Sequence, residues 1–486
     1  MLKRYFRTLS MAQTLVFLGT SALLLSLTMT AYTKQSAVLD EIKQKGELVV
    51  VTRNSPTTYY VGPNGPTGLE YDLISRFASH LGVKLRLVTT DNLNNILAMI
   101  ERHEAHLAAA GLTVTEDRKD RVRFGPPYQN ITQQLVYRAG TKIPHSPEDL
   151  IDSRLEVIAG SSHIEGLKKL AQHYPDLTWH ENSVMESDEL LSYVWERRID
   201  YTIADSNEVV LNQRFYPELR VAFDITGPQQ LAWALPKDTD NGLYNEAVKF
   251  FDLIRKNGEF NQIMERHYGH VQDFDYVGTR KFMRHISQRL PAYVEQFQQA
   301  AEQHNLDWRL LAAIGYQESH WNPQAISPTG VRGIMMLTRT TAEDMGYSNR
   351  IDPQNSINGG ARYFSQLKNR IPQRIAEPDR TWFALAAYNI GLGHVENLRV
   401  ITKRRGGNPD KWVDVKANMQ LIMQNRWHDL IRHGYARGKE TLQYVENIRG
   451  YYDILVRQTE YNRQALTKKP VTYPVISYQD SPSPLL

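Results

Sequence analysis

The residue pattern changes its period once along this 486-residue chain, near residues 272–276, and that change decides how many folds it must hold. Before it, short apolar runs alternate with helical ones. Residues 47–52 read as a buried strand, 69–81 as a helix, 84–89 as a strand, 93–101 as a helix and 106–110 as a strand. A second set follows at 155–158, 188–197, 201–204 and 219–223, and a run at 229–235 precedes a helical stretch at 243–254. Such alternation predicts helices packed on a sheet, and two sets in series predict two α/β lobes with a ligand-sized cleft between them. From Thr279 onward the pattern is almost wholly helical, at 284–305, 308–318, 340–345, 356–369, 380–389, 414–423 and 439–459. A chain this long exceeds one ordinary core. The expected architecture is a two-lobed α/β domain followed by a mainly α domain, with a loose Pro- and Ser-rich tail from about residue 468.

Residues 1–31 have the layout of an export signal: Lys3, Arg4 and Arg7, then an apolar run from Leu15 to Leu27, then small residues through Ala31. The run is also long enough to remain as an N-terminal anchor, so cleavage and retention both stay open. These three basic residues make up most of the formal charge of +4, and the near-neutral remainder argues against a nucleic-acid surface. There is no cysteine, which excludes disulfides, thiolate metal sites, a cysteine nucleophile and a lipidated N-terminal cysteine. The histidines lack the spacing of a metal-binding helix, and His103 and His106 sit beside a strand of the first domain, so no metal or other cofactor is expected.

In the helical half, Glu318 follows the amphipathic stretch Trp308 to Tyr316, with Leu311, Ile314 and Gly315 seven, four and three residues before it. Those spacings put the carboxyl on the apolar face, just before Asn322-Pro323 ends the helix. A glutamate on a helix usually faces water. One on an apolar face is desolvated, stays protonated near neutrality and can act as a general acid on a glycosidic bond. Three further segments resemble site walls: the glycine-bearing loop Gly330 to Leu337, the helix end Ala386 to Gly393 with Tyr388 and Asn389, and Tyr444 on a late helix. Each alone also reads as an ordinary turn or core tyrosine. No second acid lies in a comparable apolar setting; Glu343 and Asp344 look like a solvated pair.

Taken in order, Glu318-Ser319, Gly330 to Leu337, Ala387-Tyr388-Asn389 and Tyr444-Val445 resemble the motifs of family-one lytic transglycosylases, which have a goose-lysozyme-like SLT fold. The resemblance covers roughly residues 290–455. It implies that Glu318 is the catalytic acid of a peptidoglycan-cleaving lyase and that the product is a 1,6-anhydro sugar. It gives supporting roles to Ser319 (holding the acetamido group or orienting the acid), to Tyr388 and Asn389 (positioning the sugar) and to Tyr444 (bonding the carboxyl). One departure is Met336, which stands where the family loop commonly carries Gln.

Residues 45–269 resemble the family-three extracellular solute-binding proteins through Gly68 to Asp72, Gly111 to Arg118, Val122 to Tyr128 and Asp200 to Asp205. That resemblance implies an Arg118 clamp on a ligand carboxylate, helped by Thr113, with Asp205 on the amino group. It places Ser161 or Ser162 on the opposing lobe and Tyr59 or Tyr60 as a cover. An amino acid or muropeptide is the implied ligand; the lobes surviving as a scaffold is the alternative. The expected domains are 1–31 leader or anchor, 32–269 solute-binding-like and 270–486 catalytic. The expected setting is exported and peripheral on the periplasmic face of the outer membrane, with peptidoglycan strands as partner. A lysozyme-type hydrolase and a non-catalytic wall-binding sensor remain as alternatives.

Overall fold

The computed structural model describes residues 37–467 except 64, 91, 238–240, 272–275, 328–329, 426 and 428–432. The leader, residues 272–275 of the connector and the tail from 468 lie outside the described residues. None of the described helices is long and apolar enough to cross a membrane. The chain divides into two compact units. The first takes the described residues of Met1–Met283 with Ile371–Phe383 and Ile390–Lys439, and the second takes those of Arg284–Arg370, Ala384–Asn389 and Glu440–Leu486.

Among the described residues, ten strands of the first unit form two five-stranded sheets. They are β1 (Glu47–Thr52), β2 (Lys84–Thr89), β3 (Leu107–Ala108), β4 (Val122–Phe124), β5 (Gln133–Arg138), β6 (Leu155–Ile158), β7 (His180–Asn182), β8 (Tyr201–Asp205), β9 (Leu219–Asp224) and β10 (Ala234–Pro236). One sheet has the order β2-β1-β3-β10-β4 and the other β7-β6-β8-β5-β9. β1 pairs in parallel on both sides, and its Leu48, Val50 and Val51 have no exposure, as a strand covered on both faces requires.

The chain crosses between the sheets twice, after β4 and again after β9. The two crossing segments, Gln129–Ile131 and Gln229–Leu231, pair with each other antiparallel. The apolar run at 229–235 is therefore split between this ribbon and β10. At the break, Trp233 is fully buried among Phe77, Phe250 and Phe251, its ring 4.8 Å from that of Phe251. That aromatic burial fixes the chain where it enters the first sheet. Asp379 also belongs to this unit, accepting from Gln262 Nε2 (2.8 Å) and from the Trp412 amide (3.1 Å).

The second unit is built from α1 (Val294–His304), α2 (Trp308–Ser319), α3 (Arg339–Asp344), α4 (Pro353–Arg370), the last turns of α5 (Asp379–Ile390) and α6 (Gly438–Thr467). The expected single helix over 284–305 is interrupted: Tyr276–Gln288 ends, Leu290–Ala292 forms a tight turn and α1 restarts at Val294. Pro291 explains the break, because a proline nitrogen cannot donate to the helix ladder. Phe297, Ile314 and Phe364 form part of the buried interior on which the site rests.

Candidate active site

α2 starts at Asp307, whose carboxylate caps the Arg309 amide (2.9 Å) and accepts from Tyr452 Oη (2.8 Å). Residues Leu311 to Tyr316 are buried, and Glu318 at the end of the helix is only partly exposed. Burial pushes the Glu318 carboxyl up to about 7, against the opposing pull of a 2.6 Å hydrogen bond donated by Tyr444 Oη to Oε1. Among the described residues no cation pairs with Glu318. A carboxyl so placed is half protonated near neutral pH, which suits an acid that must also act as a base.

The loop facing α2 is tied down at three backbone points. Ser319 Oγ donates to Ile334 O (2.8 Å), with Gly315 O also in reach (3.1 Å). Ser356 Oγ, on α4, accepts from the Met335 amide (3.1 Å), and Tyr388 Oη, on α5, donates to Met335 O (3.0 Å). Close approach is built in. A Cβ on Gly333 would sit 2.2 Å from Arg350 O, and one on Gly315 would lie 3.0 Å from Phe297 and 3.2 Å from both Ile334 and Met335. Three non-glycine residues adopt left-handed backbone around the acid: His320 (φ 54°), Trp321 (φ 56°) and Met336 (φ 46°). Such strain persists where the surroundings over-determine it.

The motif residues thus divide by role. Tyr444 reaches the carboxyl. The Ser319 hydroxyl donates to Ile334 O of the loop, with Gly315 O of its own helix in reach, and that of Tyr388 donates to Met335 O. A buried hydroxyl must find an acceptor, and the backbone supplies it. Asn389 is exposed at the end of α5, its Oδ1 accepting from Thr441 Oγ1 at 2.8 Å, and Met336 is partly exposed on the loop. Ser356, Thr441 and Tyr363, whose ring lies 5.3 Å from that of Tyr388, were not singled out from sequence. Polar residues inside amphipathic helices carry no local mark of such contacts.

In the first unit the two lobes meet around a cavity of about 20 Å³, room for about one water. It is lined by Arg118, Thr113, Ser161, Ser162 and Asp205, together with Arg53, His163 and Glu208. Arg118 is 6% exposed and donates to Thr113 O and Gly160 O, both at 3.2 Å; no carboxylate pairs with it among the described residues. Ser162 Oγ donates to Thr113 Oγ1 (3.2 Å), Asp205 lies 3.1 Å from His163 Nε2, and Ser161 Oγ is buried without a partner among the described residues. Tyr59 and Tyr60 do not line the cavity. Tyr60 sits on a separate ribbon paired with Gly65–Thr67, and the Tyr59 ring packs against Tyr71.

Sequence reasoning missed Arg53, which enters this cleft from the residue after β1. Its guanidinium donates to Glu208 (2.7 Å), Glu186 (2.9 Å) and Ala110 O (3.0 Å). The signal was available, because a charged residue just past the carboxyl end of a buried parallel strand points at the crevice.

Sequence models agree with this division of labour. One for the bacterial extracellular solute-binding proteins, family 3, matches residues 48–270, and one for the transglycosylase SLT domain matches residues 295–411. A solved ancestral arginine-binding protein bound to arginine is similar to the first part at 24% identity, with a TM-score of 0.42, covering 46% of this chain and 98% of that one. The two family models define the class as a family-3 solute-binding domain joined to an SLT transglycosylase domain. Over 444 residues the chain is 50% identical to membrane-bound lytic murein transglycosylase F 1 of Alkalilimnicola ehrlichii, covering 90% of each. Over 417 residues it is 51% identical to membrane-bound lytic murein transglycosylase F of Saccharophagus degradans, covering 86% of this chain and 83% of that one. The chain belongs to the membrane-bound lytic murein transglycosylase F family, and it is a peptidoglycan lytic transglycosylase, a lyase.

Proposed function

We propose that Glu318 performs both proton transfers of the cleavage. As the neutral acid it protonates the oxygen linking N-acetylmuramic acid to N-acetylglucosamine, and the bond to muramoyl C1 breaks. The muramoyl acetamido oxygen bonds to C1 in place of a protein nucleophile, an exception the two-carboxylate scheme recognises. The resulting Glu318 carboxylate then takes the proton from the C6 hydroxyl. O6 attacks C1, the acetamide is restored and a 1,6-anhydromuramoyl end forms with no water consumed. The observation carrying this reading is the Glu318 carboxyl itself, raised to about 7 by burial and touched by a neutral phenol. Asn389 and Met336, exposed or partly exposed, contact the glycan, while Ser319 and Tyr388 shape the loop beside it.

Residues 32–269 serve as a ligand-binding module and 270–486 as the catalytic domain. The module's cleft, closed down to about 20 Å³ here, must open to take an amino acid or muropeptide, whose carboxylate then meets Arg118 with Thr113 and faces Ser161 on the opposing lobe. Support comes, among the described residues, from a buried guanidinium without a carboxylate and a buried hydroxyl without a partner. The leader exports the chain, which acts peripherally at the periplasmic face of the outer membrane. Digesting purified sacculi and weighing the fragments tests the chemistry. Anhydro-ended products one water lighter than hydrolysis products are expected, and products of hydrolytic mass would make the enzyme a lysozyme-type hydrolase. Glu318→Gln should cut turnover by about 10³-fold, and a variant as active as wild type would remove Glu318 from the reaction.

A further inference from the structure

We infer that Thr441 is a positioning residue of the glycan site, acting through Asn389; this rests on the reading above that Asn389 touches substrate. Thr441 is fully buried near the start of α6, so the proton of its hydroxyl must be given to an acceptor. Asn389 Oδ1 accepts from it at 2.8 Å. A side-chain amide has one acceptor end and one donor end. With its oxygen held by Thr441, Asn389 turns its NH₂ away from α6 on an exposed side chain, as a donor for a carbonyl or hydroxyl oxygen of an N-acetylated sugar.

A second contact of the same helix gives the arrangement its purpose. Tyr444 lies three residues after Thr441, a spacing that puts both on one face of α6. Tyr444 donates to the Glu318 carboxyl at 2.6 Å. The opening turns of α6 therefore hold two parts of the site through separate hydrogen bonds: the acid that moves protons and the amide that grips the sugar. Because the bonds are separate, the two effects separate in kinetics. Loss of the Thr441 bond leaves the titration of Glu318 alone and loosens only the amide, whose two orientations then become similar in energy.

The test uses the full-length enzyme and soluble uncrosslinked glycan strands. Thr441→Val keeps the shape of the side chain but has no hydroxyl. It should raise KM roughly three- to tenfold, leave kcat within about twofold and leave the alkaline limb of the pH–rate profile in place. Thr441→Ser keeps the donor and should restore wild-type KM. In an Asn389→Ala background, Thr441→Val should add nothing, since its only route to substrate is gone. Effects that add in the double variant, or a Thr441→Ser variant as impaired as Thr441→Val, overturn the positioning role while leaving Asn389 as a substrate contact. Asn389→Ala with wild-type kinetics instead removes the substrate contact, and the role of Thr441 falls with it.

Discussion

Glu208, in the first unit, meets the Arg53 guanidinium at 2.7 Å, whereas Glu318, in the second, meets the Tyr444 phenol at 2.6 Å. Both carboxyls are drawn into protein, and both would be costly there as lone charges. The first unit answers with a cation. Burial disfavours the charge on Arg53, and Glu208 and Glu186 more than restore it, holding the guanidinium above its ordinary value. The second unit answers with a neutral donor, so burial prevails and Glu318 titrates near 7. Glu70 shows that a raised value alone does not make a catalyst. Burial also pushes it up to about 7, but it is 1% exposed and its oxygens are taken by Tyr128 and the Gly111 amide. Glu318 keeps an opening to solvent. The difference teaches that a cation fixes a buried carboxylate in its charged form, whereas a neutral donor leaves its proton exchangeable near neutral pH.

Removing the cation should give the largest effect. Arg53→Ala leaves Glu208 and Glu186 facing each other with no counter-charge, and cutting one member from a buried ion pair costs about 3–5 kcal/mol. Scanning calorimetry should show an early unfolding transition, with the deficit smaller at pH 5 than at pH 8 because Glu186, whose carboxyl burial already pushes up, is then more readily neutralised by a proton. A variant as stable as wild type at pH 8 would mean that the Arg53 pairs do not hold the lobes.

The acid site should behave in the opposite sense. The folded value for Glu318, about 7, lies above the 4.5 of an ordinary glutamate, so the native state holds its proton more tightly than the unfolded chain. The stability it contributes is fully present below pH 4.5 and is lost as pH rises through 7. Glu318→Gln stays neutral throughout and can still accept from Tyr444. It should therefore match wild type near pH 4.5 and exceed it at pH 8 by on the order of 2 kcal/mol. Equal unfolding temperatures at pH 8 would show that Glu318 is not strained by its burial.

Elements were legible wherever burial writes the pattern: a continuous apolar run at β1, covered on both faces, and a helical period over Leu69–Leu81, buried on one. Two local features were not legible: Pro291 cuts a helix, and the buried Trp233 divides the 229–235 run between a ribbon and a sheet. At the site, the apolar face of α2 exposed Glu318 to sequence reasoning, since Leu311, Ile314 and Gly315 all turned inward. The direction of the hydroxyls was not legible. Whether Ser319 faces a sugar or Ile334 O depends on a loop folding back fifteen residues later, and no periodicity encodes that return. Arg53 was missed for a similar reason: its partners Glu186 and Glu208 lie 133 and 155 residues away.

The smallest effect probes the neutral partner itself. The Tyr444 hydroxyl donates to Glu318 Oε1, and a donor stabilises the ionised carboxylate more than the neutral acid, so this bond holds the value below what burial alone would set. Tyr444→Phe keeps the ring and deletes the donor. The carboxyl should then titrate higher, and the alkaline limb of kcat/KM, where the acid form is lost, should move up by roughly half a unit to one unit. Below pH 6 the variant should lose only a few-fold in rate, because the acid is already protonated there and the proton it donates is unchanged. Had Tyr444 been replaced by a cation like Arg53, the same deletion would have changed the charge of the site and moved the limb much further. A limb that shifts downward would mean that the phenol favours the protonated acid, and the contrast between the two buried sites would then rest on burial alone.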